Sequence, residues 1–433
     1  MIARWRWALA QLTKRLWFRA SLFSLLGIAA ALIAIFFKDF VPPSLPARIG
    51  ADAVDDILGI IASSMLAVTT FSLSTMVSAY SAASSGVTPR ATTLIMEDTT
   101  TQNALATFLG SFLFSLVGII ALNTGVYGAQ GRVVLFAATI AVLVLIVHTL
   151  LRWIDHLSKL GRVGETIDRV EQAAIKALDG RTEWPFLGGA EYPKGFTPPD
   201  SACAVLSTET GYVQHIDVQA LGTLAKDYRL ELYLEVLPGS FVHEGMLLAQ
   251  IVALSTSEGN DARTVAEKVL ATITIGVRRT FEHDPRFGLS VLSEIASRAL
   301  SPAVNDPGTA IDVIGRGVRC FARCATHATS VGHTNPDCSQ VHLRGLGIDD
   351  MFDDFFAPIA RDGAGLIEVD IRMMKALLSL SEIHPQLFKG ICSTHARLLL
   401  ERAETALTLN EEKTRLRYVS ALLAAAGSGA AAQ

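Results

Sequence analysis

The sequence predicts an α-helical membrane protein with four transmembrane helices and a cytosolic α+β part, the latter built from a β-rich module and a helical domain. Composition is the first reason. Hydrophobic residues make up 50% of the chain and mean hydropathy is +0.39, with the apolar residues gathered in the first third. Spacing is the second. Between Lys38 and Arg152 the apolar stretches reach the length that crosses a bilayer core of roughly 30 Å as a helix. The third is a change of pattern after Arg152, where helical and two-residue periods alternate and Gly and Pro mark turns. The expected divisions are a basic amphipathic helix (1–20), the transmembrane domain (21–152), a helical extension and linker (153–200), a β module (201–262), a helical domain (263–426) and a flexible tail (427–433).

The opening segment mixes Arg4, Arg6, Lys14, Arg15 and Arg19 with Trp5, Trp7 and Trp17, as an interfacial helix does. A cleaved signal is not expected, because Lys38, Asp39 and Pro42-Pro43 follow without a small-residue cleavage pattern. The first span is Leu22 to Phe37. An acidic connection carries Asp39, Asp52, Asp55 and Asp56. The second span follows, then a polar stretch in which Thr88-Pro89-Arg90 starts a short helix. The third span is Leu105 to Tyr127, with Gly110, Ser111 and Gly118 as close-contact positions. The fourth is Val133 to Leu151, predicted to continue as a helix through Arg162 to Leu178. Basic residues flank the first span before it and the last span after it (Arg152, Lys159, Arg162). Both termini are therefore expected in the cytoplasm. Five cysteines, scattered and odd in number, fit a reducing compartment. A formal charge of −4 gives no case for nucleic acid.

The second span is the unusual one. From Ile57 to Ala83 it has no charged residue, yet it is crowded with hydroxyls. Ser63, Ala67, Thr70, Ser74, Ser78, Ser81 and Ser85 step by three or four and share one helical face; Ile60, Leu66, Leu73, Met76 and Tyr80 are expected opposite. Two readings fit the hydroxyl face. It packs against other helices, or it lines a water-filled path where hydroxyls replace part of an ion's hydration shell. Asp55 and Asp56 precede it and are the candidate entrance residues. Where the fourth span leaves the membrane, His148, Arg152, Asp155 and His156 follow one another. They read as interfacial anchors or as a charged, proton-responsive vestibule.

In the cytosolic part, Gly180 to Pro199 is a linker. Leu230 to Leu237 alternates as a strand, Pro238-Gly239 and Glu244-Gly245 are turns, and Val218 to Lys226 is a small helix. The run GYV…PGSFVHEGMLLAQI resembles the biotinyl/lipoyl-like barrel-sandwich module. No lysine stands at a hairpin tip, so the resemblance implies a docking or structural module rather than a carrier. Helices are expected at Phe287 to Leu300, Thr309 to Ala325, Glu368 to Ile383, Leu387 to Leu409 and Glu411 to Ala425, and Val265 to Ile275 reads as a possible strand. Between the first two helices, Asp306 can cap and Pro307 can occupy the first helical position.

RALSPAVNDPGTA (Arg298 to Ala310), DPRFGL, the GYV…PGSFV module and TFSLSTMVSAYSAASSGVTPR together resemble the bacterial predicted-membrane-protein family, domain of unknown function 2254. The second span departs from that family's pattern at Gly86-Val87-Thr88. The resemblance implies an inner-membrane protein with a cytosolic domain and supplies no reaction.

Cys320, Cys324, His327, His333 and Cys338 could wrap a zinc ion, but the spacing is not a standard one and two of the cysteines fit a helix core. No metal or cofactor is expected. Glu294, Arg298, Asn305 and Asp306 read as a capped turn rather than an acid/base pair. No nucleophile elbow or phosphate-cradling loop appears, so no enzymatic activity is expected. The expectation is a homo-oligomeric inner-membrane channel for a monovalent cation such as sodium, partnered by lipid and small inorganic ions. The alternative is a non-conducting scaffold or sensor whose β module docks a partner.

Overall fold

The computed structural model describes residues 16–36, 51–96, 98–125, 127–253, 262–330 and 336–428. The basic segment before Leu16, most of the acidic connection (Asp39 included), His333 and residues 429–433 lie outside these. The chain divides into two units, with the boundary between Thr166 and Ile167.

In the first unit, α1 (Leu16–Phe36), α2 (Ala51–Gly86), a short α3 (Thr92–Met96), α4 (Thr99–Asn123) and α5 (Gly128–Lys159) form a helical bundle. Among the described residues, α2, α4 and α5 are long and apolar enough to cross a membrane, while the apolar part of α1 is shorter (Trp17–Ile33). α4 is central, with α1, α2 and α5 packed on it. The sequence explains the close approach of α1. A Cβ on Gly27 would stand 2.4 Å from the Gly110 carbonyl oxygen, and one on Gly110 would stand 2.8 Å from that of Phe23, so both helices need glycine at the crossing. Gly118 gives room to Leu58 and Leu135. The close-contact positions expected on the third span are thus where helices meet.

The fourth span does not run on unbroken. α5 ends at Lys159, Gly161 takes φ 82°, and a new helix, α6 (Val163–Glu183), begins. A left-handed residue cannot sit inside an α-helix, so the predicted continuous rod is two helices.

The second unit holds a small sheet region and a helical part. One sheet has five strands in the order β1 (Gly189–Glu191), β8 (Cys338–Leu343), β4 (Leu230–Leu234), β6 (Leu247–Ala253), β2 (Cys203–Leu206). The other has three, in the order β5 (Phe241–Val242), β3 (Gly211–Ile216), β7 (Ile273–Gly276). Three of these strands, β1, β7 and β8, come from outside the expected 201–262 module, and β1 and β8 pair in parallel. Val213, Leu221, Leu232, Leu248 and Val341 fill its core, together with α7 (Val218–Tyr228) and α8 (Ala262–Leu270). The stretch Val265 to Ile275 is accordingly half helix and half strand.

The helical part comprises α9 (Pro285–Ala299), α10 (Pro307–Ser330), α11 (Ile348–Asp362), α12 (Ile367–Ile383), α13 (Pro385–Ala406) and α14 (Asn410–Ser428). Phe321, Phe352, Phe355, Phe356 and Phe388 make its aromatic core, the Phe321 and Phe352 rings lying 4.4 Å apart. α11 has no counterpart among the predicted elements.

Candidate functional site

The two long sides of α2 differ. Val54, Leu58, Ile61, Met65, Ser72, Met76, Ala79 and Ala83 are buried and form the side packed within the bundle. Ser63, Ala67, Thr70, Ser74, Ser78 and Ser81 are all exposed. At 100° per residue the two sets sit on opposite sides of the helix. The hydroxyl face therefore turns away from the bundle. Ile60 and Phe71 border it on one flank, Leu66, Leu73 and Val77 on the other, all exposed. The expected apolar back of the helix is corrected here. Of Ile60, Leu66, Leu73, Met76 and Tyr80, only Met76 is fully buried and Tyr80 half-buried, and the other three flank the hydroxyls.

Three of these hydroxyls bond backwards along their own helix. Ser63 donates to the Gly59 carbonyl (3.0 Å), Thr70 to Leu66 (3.0 Å) and Ser78 to Ser74 (3.0 Å). A carbonyl can only accept, so the protons of these three are spent inside the helix and their oxygen lone pairs are left to accept. Asp55 and Asp56 belong to the first turns of α2, near its positive dipole end. Asp56 is exposed, whereas Asp55 is half-buried, its Oδ1 shielded from solvent and without a hydrogen-bond partner among the described residues.

The vestibule group separates. His148 and Arg152 are exposed on α5. His156 is turned inward, its Nε2 lying 2.8 Å from Asp98 Oδ2 and 3.1 Å from Thr101 Oγ1. Asp98 also caps α4, accepting from the Thr101 N–H at 2.8 Å. One turn earlier, the fully buried Trp153 donates its indole N–H to Ser72 Oγ at 2.9 Å. Ser72 and Trp153 were not singled out in the sequence. A tryptophan within an apolar span always carries a donor in need of a partner, which is the signal that could have found them.

The family described as Predicted membrane protein (DUF2254) matches residues 13–379. The chain belongs to this family. Uncharacterized proteins of Mycobacterium bovis and Mycobacterium tuberculosis are each 29% identical to it over 235 residues, covering 54% of this chain and 45% of each relative. The chain thus matches about half the length of these curated relatives or less. No solved structure matches it.

The segment Arg298 to Ala310, within the matched range, holds a capped turn between α9 and α10. Asn305 has φ 51°, a conformation that asparagine tolerates better than most residues. Asp306 accepts from the Thr309 N–H (3.0 Å) and hydroxyl (2.6 Å), which holds its carboxyl below the usual range. Pro307 opens α10, as its fixed φ favours. The cysteines of the possible zinc set part company. Cys320 and Cys324 are buried in α10, whereas Cys338 is in the β core beside Gly222. Burial pushes the Cys324 thiol up to about 12 and raises that of Cys320 as well.

α10 also carries a ladder that the sequence reading passed over. Arg316 bonds Asp168, Asp312 (2.8 Å) and Glu171 (2.9 Å), Arg319 takes Glu171 in two bonds (2.6 and 2.8 Å), and Arg323 reaches Asp179 (2.9 Å). Basic residues three and four apart on α10 face acidic ones on α6, which is the spacing that makes a continuous stripe.

Proposed function

We propose that this membrane protein is an ion channel, assembled from several copies in the bacterial inner membrane, with four spans per subunit and both termini in the cytoplasm. The observation that carries this reading is the outward hydroxyl face of α2. Apolar atoms would suffice against lipid, yet Ser63, Thr70, Ser74, Ser78 and Ser81 stand there, opposite the packed side. Around a symmetry axis these faces would meet. Hydroxyl lone pairs that can accept, without a fixed charge in the span, suit a dehydrating monovalent cation such as sodium better than a divalent one. Asp55 and Asp56 would raise the local cation concentration at the mouth. His148 and Arg152 would line the cytosolic end of the path, and the second unit, with its barrel-sandwich-like module, would be the cytosolic domain. The reading involves no enzymatic reaction.

A second reading is a non-conducting scaffold whose β module docks a partner. The i−4 bonding of the same hydroxyls favours it, since Ser and Thr that are satisfied in their own helix can also serve as small packing residues.

Ion flux into proteoliposomes holding only this protein separates the two. A channel passes Na⁺ or K⁺ down its gradient, and Ser74→Leu lowers the flux at least about tenfold while the oligomer persists in cross-linking. Absence of flux at any pH or voltage, with Ser74→Leu dissolving the oligomer, selects the scaffold.

A further inference from the structure

Within the second unit, the segment 277–284 between β7 and α9 joins the sheet region to the helical part, and three contacts tie it to the sheets. Gln214 on β3 donates its side-chain amide to the Arg278 carbonyl at 2.7 Å. His215, the next residue on β3, meets His283 with ring centroids 4.9 Å apart and planes tilted by 45°. Gly239, at φ 95°, leaves no room for a Cβ beside the Asp284 carboxylate. Asp284 in turn is buried and caps α9. It accepts from the Arg279 guanidinium through two bonds (2.7 and 2.9 Å) and from the Phe287 N–H at 3.1 Å. The two imidazoles thus meet where the first helix of the helical part is held against the sheets. Both are half-buried. Burial, and then the neighbouring His283, hold His215 below the ordinary histidine value. Two carboxylates act the other way without outweighing them: Asp217, buried and bonded to the Ala220 N–H at 3.0 Å, and Glu282, exposed. Arg279 is engaged by Asp284, and β7 places the uncharged Thr274 opposite His215.

We propose that His215 and His283 form an acid-sensitive latch between β3 and the entry to α9, closed while at most one ring carries a proton and opened when both do. Two imidazolium rings at this separation repel, and partial burial keeps water from screening them. A base whose folded value is lowered contributes stability that is complete above about pH 6.5 and is lost as pH falls below it. Opening frees the segment 277–284 from β3 and loosens α9 from the sheet region. The latch lies wholly in the second unit, so it is independent of the channel reading and would act in a scaffold equally.

The test is hydrogen exchange, read by mass spectrometry on the full chain in lipid nanodiscs at about pH 7.5 and about pH 5.5 and corrected for the intrinsic pH dependence of exchange. Peptides covering 211–217 and 277–287 should lose protection at least about tenfold at the lower pH, since each proton taken up shifts an opening equilibrium by up to about tenfold per pH unit. Peptides covering β6 should keep theirs. His215→Phe and His283→Phe each retain a ring at the contact and lack its proton. Both should match wild type at the higher pH and hold their protection at the lower one; if one of them is unprotected already at the higher pH, the other decides. Wild type alone can refute the latch, through unchanged protection at the lower pH or an equal loss in β6. A loss on acidification that persists in either folded Phe variant overturns it as well.

Discussion

Asp370 and Arg181 are buried ionisable residues of opposite sign, and the side-chain nitrogens of Arg181 have no hydrogen-bond partner among the described residues. Asp370 is fully buried on α12, and neither of its carboxylate oxygens has such a partner either. Burial, helped by the nearby Glu368, pushes its carboxyl up to about 7. The folded state therefore holds this proton where the unfolded chain, near 4, has released it. Folded protein binds more protons between those values, so stability falls as pH rises from about 4 to about 7 and then levels off. The loss is bounded at about 4 kcal/mol by the size of the shift. Asp370→Asn should flatten this slope and melt higher than wild type at pH 8, with little difference at pH 5. Melting curves of the two proteins across that range decide the matter, and a wild type that gains stability from pH 5 to 8 through this residue would contradict the assignment. Neither Asp370 nor Arg181 was legible as special in the sequence. An acidic residue in a first turn and a basic residue in a last turn read as ordinary complements of the helix dipole, and only packing shows that their partners are missing.

Among the elements, the three helices long and apolar enough to cross a membrane were legible because bilayer thickness sets the length to look for, but the buried side of α2 was not. In water the greasy side of a helix is the packed side. In lipid the surroundings are as apolar as the core, so hydrophobicity no longer separates inside from outside, and Ile60, Leu66 and Leu73 end on the exposed flanks. Small residues carry the information instead, as Gly27 and Gly110 illustrate at the crossing of α1 and α4. Gly110→Leu should push α1 off α4 and cost the bundle at least about 2 kcal/mol, by the measure of overpacked sites. Gly59→Leu is the matched control, because a Cβ there meets nothing within 4 Å. Thermal aggregation of the two variants in detergent should differ clearly, and equal curves would place the crossing elsewhere. α11 was missed for another reason. Its Met351, Phe352, Phe355, Phe356 and Ile359 form a buried stripe, yet Pro358 inside the helix and four aspartates around the aromatics mask the period. The α6–α10 ladder was legible in principle, since Arg316, Arg319 and Arg323 have helical spacing, but its acidic partners lie far away in sequence.

The division of the whole molecule into an apolar and a mixed part followed directly from where the hydrophobic residues fall, and only its position moved. The sequence places the change at Arg152, whereas the units part at Thr166 and Ile167, after the break at Gly161. A single glycine in a helical pattern is ordinarily tolerated, so its positive φ left no trace in the periodicity. The consequence is testable. The second unit has its own β core around Leu232 and its own aromatic core around Phe352, and the arginine ladder fastens α6 to α10 inside it. A fragment that starts at Val163 keeps the whole of α6, including the carboxylates of Asp168, Glu171 and Asp179. It should therefore fold by itself as a water-soluble protein with one cooperative thermal transition. A fragment that starts at Gly180 lacks all three carboxylates, leaves Arg316 with Asp312 alone and takes the α6 partners from Arg319 and Arg323 beside an exposed apolar core, and should melt markedly lower or aggregate. Circular dichroism melts and binding of a hydrophobic dye compare the pair. If the longer fragment binds the dye strongly and melts without cooperativity, its packing depends on the rest of the chain, and the two cores are not self-sufficient.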